Sequence, residues 1–187
     1  MASKLHLTIV DSRIWLPIIM KNLKGLISVF GLVAVFALAA SAQTVLTSID
    51  GNRVDIDGQN GKVVILAVGA SWLPLSAKQA EYTNAIAKKY AGSNVAVYFV
   101  ATDSMTPGTK NYASDQVLRE FVGKSKLAVP VLRDPGAAAI GKKLTFDQLP
   151  AFVIIDKNGV QSGKAFGGID PKYDVTVPIS KTVDGLL

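Results

Sequence analysis

Val63-Val64-Ile65-Leu66-Ala67-Val68 is an uninterrupted apolar run. It is rich in β-branched residues and too short for a typical helix, which predicts a strand buried on both faces at the centre of a sheet. Leu75, Tyr82, Ile86 and Tyr90 then recur at helical spacing with Lys78, Lys88 and Lys89 between them, and Gly92 follows. This predicts an amphipathic helix. Val95 to Ala101 is a second apolar run, so strand, helix and strand form a βαβ unit with parallel strands. Ahead of it, Thr44 to Ile49 and Arg53 to Ile56 flank Asp50-Gly51-Asn52, the signature of a hairpin turn.

Beyond the βαβ unit, Ser114 and Asp115 open a short helix with Val117, Leu118, Phe121 and Val122 on its core face. Val129 to Leu132 reads as a short extended segment, Asp134-Pro135-Gly136 as a turn, and Ala137 to Lys143 as helical. Leu149 to Asp156 and Val160 to Phe166 flank the turn Lys157-Asn158-Gly159 and predict a closing antiparallel hairpin. The fold class is therefore α/β: a central mixed sheet with helices on both faces and an N-terminal β-hairpin. Residues 44–170 form that domain, and residues 171–187 read as a loosely helical or extended tail.

The first residues have a different pattern. Gly25 to Ile49 contains no charge, Leu26 to Ala40 is almost wholly apolar, and Lys21 and Lys24 precede it. Residues 1–24 are then a basic, amphipathic segment, and residues 25–43 one hydrophobic helix that is either a signal peptide or a membrane anchor. The small residues of Ala39-Ala40-Ser41-Ala42 suit cleavage after Ala42, and translation starts at Met1 or at Met20. Either way the domain is exported to the periplasmic face, and a retained helix would anchor it to the inner membrane.

Composition narrows the chemistry. The chain of 187 residues carries a net charge of +6, of which Lys4, Arg13, Lys21 and Lys24 against Asp11 supply half. The domain is thus only mildly basic and offers no footprint for nucleic acid. There is no cysteine, and the one histidine is His6. Disulfides, thiolate metal sites and sulfur nucleophiles are excluded, and so is a Ser-His-acid triad within the domain. No metal site and no cofactor is predicted. Gly123-Lys124-Ser125 is similar to the end of a phosphate-binding loop, but Leu118 stands where that loop needs its first glycine. Asp103 and Asp134, near predicted strand ends, read as turn and cap residues.

Several ordered segments resemble the thioredoxin-like superfamily, in its TlpA-like and redoxin branch. They are Gly61 to Leu66 leading into Ala70-Ser71-Trp72-Leu73-Pro74-Leu75-Ser76, then Val95 to Asp103, Val129-Pro130-Val131-Leu132-Arg133-Asp134-Pro135, and Leu149-Pro150-Ala151-Phe152 through Gly159. The resemblance implies a thioredoxin-like fold. It also implies that Leu73 and Ser76 occupy the positions of the nucleophilic and resolving cysteines, and that Leu149 and Pro150 form the cis-proline border of a substrate groove. Without thiols, Trp72, Leu73, Pro74, Leu75 and Ser76 are a degenerate active site, with Ser76 serving as helix N-cap. The function expected is a redox-inactive accessory or scaffold subunit, whose partners are the membrane and other proteins of a membrane complex. The alternative is a non-thiol enzyme, or a substrate-presenting chaperone working with a cysteine-bearing partner.

Overall fold

The computed structural model describes residues 43–187. The expected basic segment and hydrophobic helix before Gln43 lie outside the described residues. Among those described, no helix is long and apolar enough to cross a membrane.

The apolar run becomes β3 (Val63–Gly69), and all seven of its residues are buried. Their burial follows from the strand's place in the sheet. It pairs in parallel with β4 (Val95–Ala101) on one edge and antiparallel with β6 (Ala151–Ile155) on the other, while successive side chains enter different cores. Val63, Ile65 and Ala67 join one cluster with Phe99, Phe152 and Ile154. Val64, Leu66 and Val68 join a second with Val100, Leu132, Val153 and Ile155.

Seven strands build the sheet in the order β2-β1-β5-β4-β3-β6-β7. The predicted N-terminal hairpin is β1 (Val45–Ser48) and β2 (Arg53–Asp55), joined through Gly51 at a φ of 85°. β5 (Val131–Arg133) lies between β1 and β4, antiparallel to the first and parallel to the second. β7 (Phe166–Gly167) closes the far edge beside β6.

Helices are distributed unevenly. α1 (Ser76–Lys89), α2 (Asp115–Ser125) and α3 (Thr176–Asp184) all send buried residues into the first core: Ile86, Leu118, and Ile179 with Val183. On the second face the expected helix over 137–143 is reduced to two 3-10 turns, Pro135–Ala137 and Ile140–Lys142, which cover the sheet with Ala137 and Ile140. Gly136 and Ala137 adopt positive φ angles of 63° and 54°, which breaks helical geometry there. The buried Asp134 carboxylate then accepts the N–H groups of Ala139 and Ile140, both at 2.9 Å. That is the cap role expected of it.

Three further expectations change. Val117 lies 43% exposed and belongs to the outer face of α2, while Leu118 is fully buried. The strand expected over 160–166 shrinks to Phe166–Gly167 and one bridge between Ile155 and Gln161. The Gln161 amide bonds to Thr145 N–H and to the Thr145 and Gly163 carbonyls, and so holds that stretch as a loop. Finally, residues 172–187 include a packed helix: Ile179 and Val183 are fully buried, and the hydroxyl of Tyr90, the residue that caps the C-terminus of α1, shares its proton between the Ser180 carbonyl and the Asp184 carboxylate. Val175, Ile179 and Val183 fall four residues apart, an apolar stripe too brief to stand out in sequence.

Candidate functional site

β3 ends at Gly69, and the chain turns through Ser71–Leu75 before α1 begins at Ser76. Two anchors hold this turn to the neighbouring parallel strand. Thr102, just past β4, donates its N–H and its hydroxyl to the Gly69 carbonyl at 2.8 and 3.0 Å. Asp103 is fully buried, and it accepts the Ser71 N–H on both oxygens at 3.1 and 3.0 Å and the Ser71 hydroxyl at 2.6 Å. The turn role read from the sequence understated Asp103, because its partner lies 32 residues away. Asp103→Ala removes the acceptor for two donors, and since hydrogen bonds to charged groups contribute about 1.5–3 kcal/mol, a stability loss of about 2 kcal/mol in chemical denaturation is expected.

Ser76 is not the helix N-cap. That position belongs to Leu75, without a side-chain bond, and Ser76 is the first helical residue, 2% exposed. Its hydroxyl donates back to the carbonyls of Ala70 and of Leu73, the latter at 2.8 Å. An N-cap oxygen accepts a helix N–H, whereas this one closes the turn that precedes the helix. The four apolar residues before it divide. Trp72 is 52% exposed and Pro74 is exposed, Leu73 is half-buried, and Leu75 packs against the main core.

The second expected part of the site meets the first through β6. Leu149–Pro150 is a cis peptide bond, as the resemblance implies, and the pairing of Val68 with Ala151 sets Pro150 beside Gly69. Gln79, one turn into α1, ties the two together. It is fully buried, and its amide nitrogen donates to the carbonyls of Val68 at 3.1 Å and Ala151 at 3.0 Å. Its amide oxygen has no hydrogen-bond partner and rests over Gly69, where a Cβ would lie 2.2 Å from it. Sequence reasoning missed Gln79, although a signal existed: residues 75, 79, 82 and 86 share one helical face, and Gln79 is the polar member of an apolar row.

The chemistry available at this end is limited. The hydroxyls of Ser71 and Ser76 are spent as donors to a carboxylate and to carbonyls. Among the described residues no group of three His, Cys, Asp or Glu side chains is placed to hold a metal ion. On the first turn of α1 the Lys78 ammonium lies 2.9 Å from Glu81 and 4.7 Å over the Tyr82 ring, and its hydrogen bond to Glu81 raises its pKa. Around the turn lie further exposed apolar groups. Met105 and Tyr112 sit on the loop that follows Asp103, where Ser104 bridges to Tyr112, and Tyr173 is the residue whose carbonyl accepts the Tyr82 hydroxyl.

Comparison with known proteins agrees with this architecture. A family model described as Redoxin matches residues 37–171. The chain belongs to the Redoxin family. A relative of this redoxin chain is the thiol-disulfide oxidoreductase ResA of Bacillus cereus, 28% identical over 123 residues, which are 66% of this chain and 65% of that protein. The chain thus spans just under two thirds of that relative's length. Among solved structures it is similar to the pneumococcal exposed lipoprotein thioredoxin Etrx1 of Streptococcus pneumoniae strain TIGR4, at 25% identity and a TM-score of 0.61, covering 78% of this chain and 100% of the other. It is also similar to a secreted disulfide oxidoreductase of Mycobacterium tuberculosis homologous to E. coli DsbE, at 21% identity and a TM-score of 0.58, covering 77% and 96%. The fold is thioredoxin-like, with a mixed sheet. In this redoxin the turn that the resemblance assigns to the two thiols carries Leu73 and Ser76.

Proposed function

We propose that this redoxin is a redox-inactive, exported accessory subunit that docks other proteins of a membrane complex through the end of the domain where Trp72 lies. The observation that carries the reading is the exposure of Trp72, 52%, on a turn tied down by the buried Asp103 and by Ser76. The exposed half of this large aromatic side chain gains the isolated domain no burial energy. Covered by a partner, such a side chain is the kind of anchor that dominates an interface. The thiol chemistry of the named relatives needs a sulfur nucleophile, and this chain has none. Export is supported by the charge-free run after Lys21 and Lys24, and by the likeness to a secreted Mycobacterium tuberculosis disulfide oxidoreductase and to the pneumococcal exposed lipoprotein thioredoxin.

The test is co-purification from membranes in mild detergent. Trp72→Asp is expected to lower recovery of partner proteins about tenfold or more, the loss typical of one interface anchor worth above about 1.4 kcal/mol. Its melting temperature should stay within about 2 °C of the parent, as for an exposed site. Unchanged recovery with a folded variant overturns the docking role. Leu75→Asp serves as a contrast, because Leu75 packs on the core and its loss should unfold the domain. For topology, a reporter fused after Leu187 should be active only if it works outside the cytoplasm, and cytoplasmic activity would overturn export.

A further inference from the structure

At the opposite end of the sheet from Trp72, one strand position is vacant. The hydrogen-bond pattern of β4 locates it. Val63 N–H donates to the Asn94 carbonyl and Thr102 N–H to the Gly69 carbonyl, so the even-numbered residues of β4 face β3. The odd-numbered ones face β5: Phe99 N–H donates to the Pro130 carbonyl at 3.1 Å, and Asp134 N–H to the Ala101 carbonyl at 3.0 Å. β5 starts only at Val131, opposite Phe99. Below that point the N–H and C=O groups of Val97 and Val95 point along the sheet toward no partner among the described residues.

Two residues keep β5 from extending. Continuing the parallel ladder would need an N–H at position 130 for the Val97 carbonyl, and Pro130 has none. Asn84 on α1 bonds the Lys126 carbonyl and the Ala128 N–H, both at 2.8 Å, and so draws residues 126–128 toward the helix. The next strand over, β1, ends in its own turn, with Ile49 N–H on the Val131 carbonyl. Between that turn and the open half of β4 the separation is two strand spacings, about 9–10 Å in a sheet. A cleft of about 580 Å³ adjoins the gap and reaches β4 at Tyr98; Val54 and Asp50 line it from the hairpin, and Val122, Leu127 and Val129 from the other side.

We infer that this gap accepts an extended, unpaired segment of a partner polypeptide, which adds to β4 beside Val95 and Val97 in the place that β5 leaves empty. The occupant's chemistry follows from the walls. A strand entering a one-strand gap must have both of its edges free, so it comes from an extended tail or linker and not from the edge of a folded sheet. A second copy of this chain is a poor fit for the same reason, because its own β4 edge lies recessed in an identical cleft. Alternate side chains of the guest meet Val122, Leu127 and Val129 and are apolar. Asp50 is the one charged residue lining the cleft, so a lysine or arginine at that end of the guest is favoured and an acid is not. Main-chain hydrogen bonds supply affinity and the alternating pockets supply selectivity.

A hexapeptide of alternating valine and threonine with an N-terminal lysine is the probe, added to the chain of 187 residues in detergent. At saturation it should slow amide exchange at Val97 by about tenfold or more, since exchange requires opening of the new bond. The same peptide N-methylated at alternate residues keeps its side chains but loses its donors, and should give no protection. Pro130→Ala combined with Asn84→Ala lets residues 126–130 close on β4 and should weaken the unmodified peptide about fivefold or more, of the order of one main-chain hydrogen bond. Equal binding of the N-methylated peptide, or unchanged exchange at Val95 and Val97 at millimolar peptide, overturns the inference. Protection that rises with protein concentration in the absence of peptide would assign the gap to a second copy, and would overturn it as well.

Discussion

Leu73→Cys combined with Ser76→Cys is expected to turn this redoxin into a protein that closes an internal disulfide and reduces insulin above the parent's rate. Both positions belong to one turn, with Ser76 N–H donating to the Leu73 carbonyl at 3.1 Å. Residues three apart on a helical turn bring their Cβ atoms to about 5–6 Å, within reach of a disulfide after small rotations. Position 73 is half-exposed at the N-terminus of α1, where the helix dipole favours a thiolate and lowers the thiol pKa. Position 76 is buried behind it, as suits a resolving thiol. Loss of the Ser76 hydroxyl gives up its bonds to Ala70 and Leu73, a cost of about 1 kcal/mol, which the domain should survive. Loss of two mass units on mild oxidation and insulin turbidity are the measurements. A double variant that folds but keeps two free thiols would show that 73 and 76 are not the thiol positions.

Gly69→Ala is expected to be the most destabilising one-atom addition in the domain, because the new Cβ would lie 2.2 Å from the Gln79 amide oxygen and 3.3 Å from Phe99. Gln79 is fully buried and has nowhere to retreat without releasing the Val68 and Ala151 carbonyls. Overpacking of this kind costs about 1–3 kcal/mol, and each lost hydrogen bond adds about 1 kcal/mol. A total of about 3–4 kcal/mol corresponds to a melting temperature about 10 °C lower for a domain of this size. Adding Gln79→Ala removes the collision, so the double variant should be less destabilised than the sum of the two single ones. A shift under about 2 °C for Gly69→Ala would mean that the Gln79 amide does not rest on Gly69.

What the sequence determined by itself was whatever depends on neighbours along the chain or on residue type alone. The run Val63 to Val68 announces a buried central strand because six apolar residues in succession leave no face for water. Asp50-Gly51-Asn52 announces the hairpin because glycine accepts the positive φ found at Gly51, and Ser114 caps α2 through Val117 N–H as its spacing implies. The absence of cysteine leaves these residues no thiol of their own, a property of residue type alone. Tertiary structure alone decided the rest. Whether Trp72 or Leu75 faces solvent depends on how the turn is tied to Asp103, a contact 32 residues distant. Gln79 joins β3 to β6 only because the fold brings Ala151 beside Val68. The vacant strand position beside Val97 arises from Pro130 together with an Asn84 side chain that reaches across 42 and 44 residues of sequence to its partners. Local pattern fixes which segments are strands and helices, since φ/ψ preference and periodicity are properties of a short window. Which polar groups find partners is a property of the packed whole, since a buried donor can be satisfied by any acceptor the chain brings within about 3 Å.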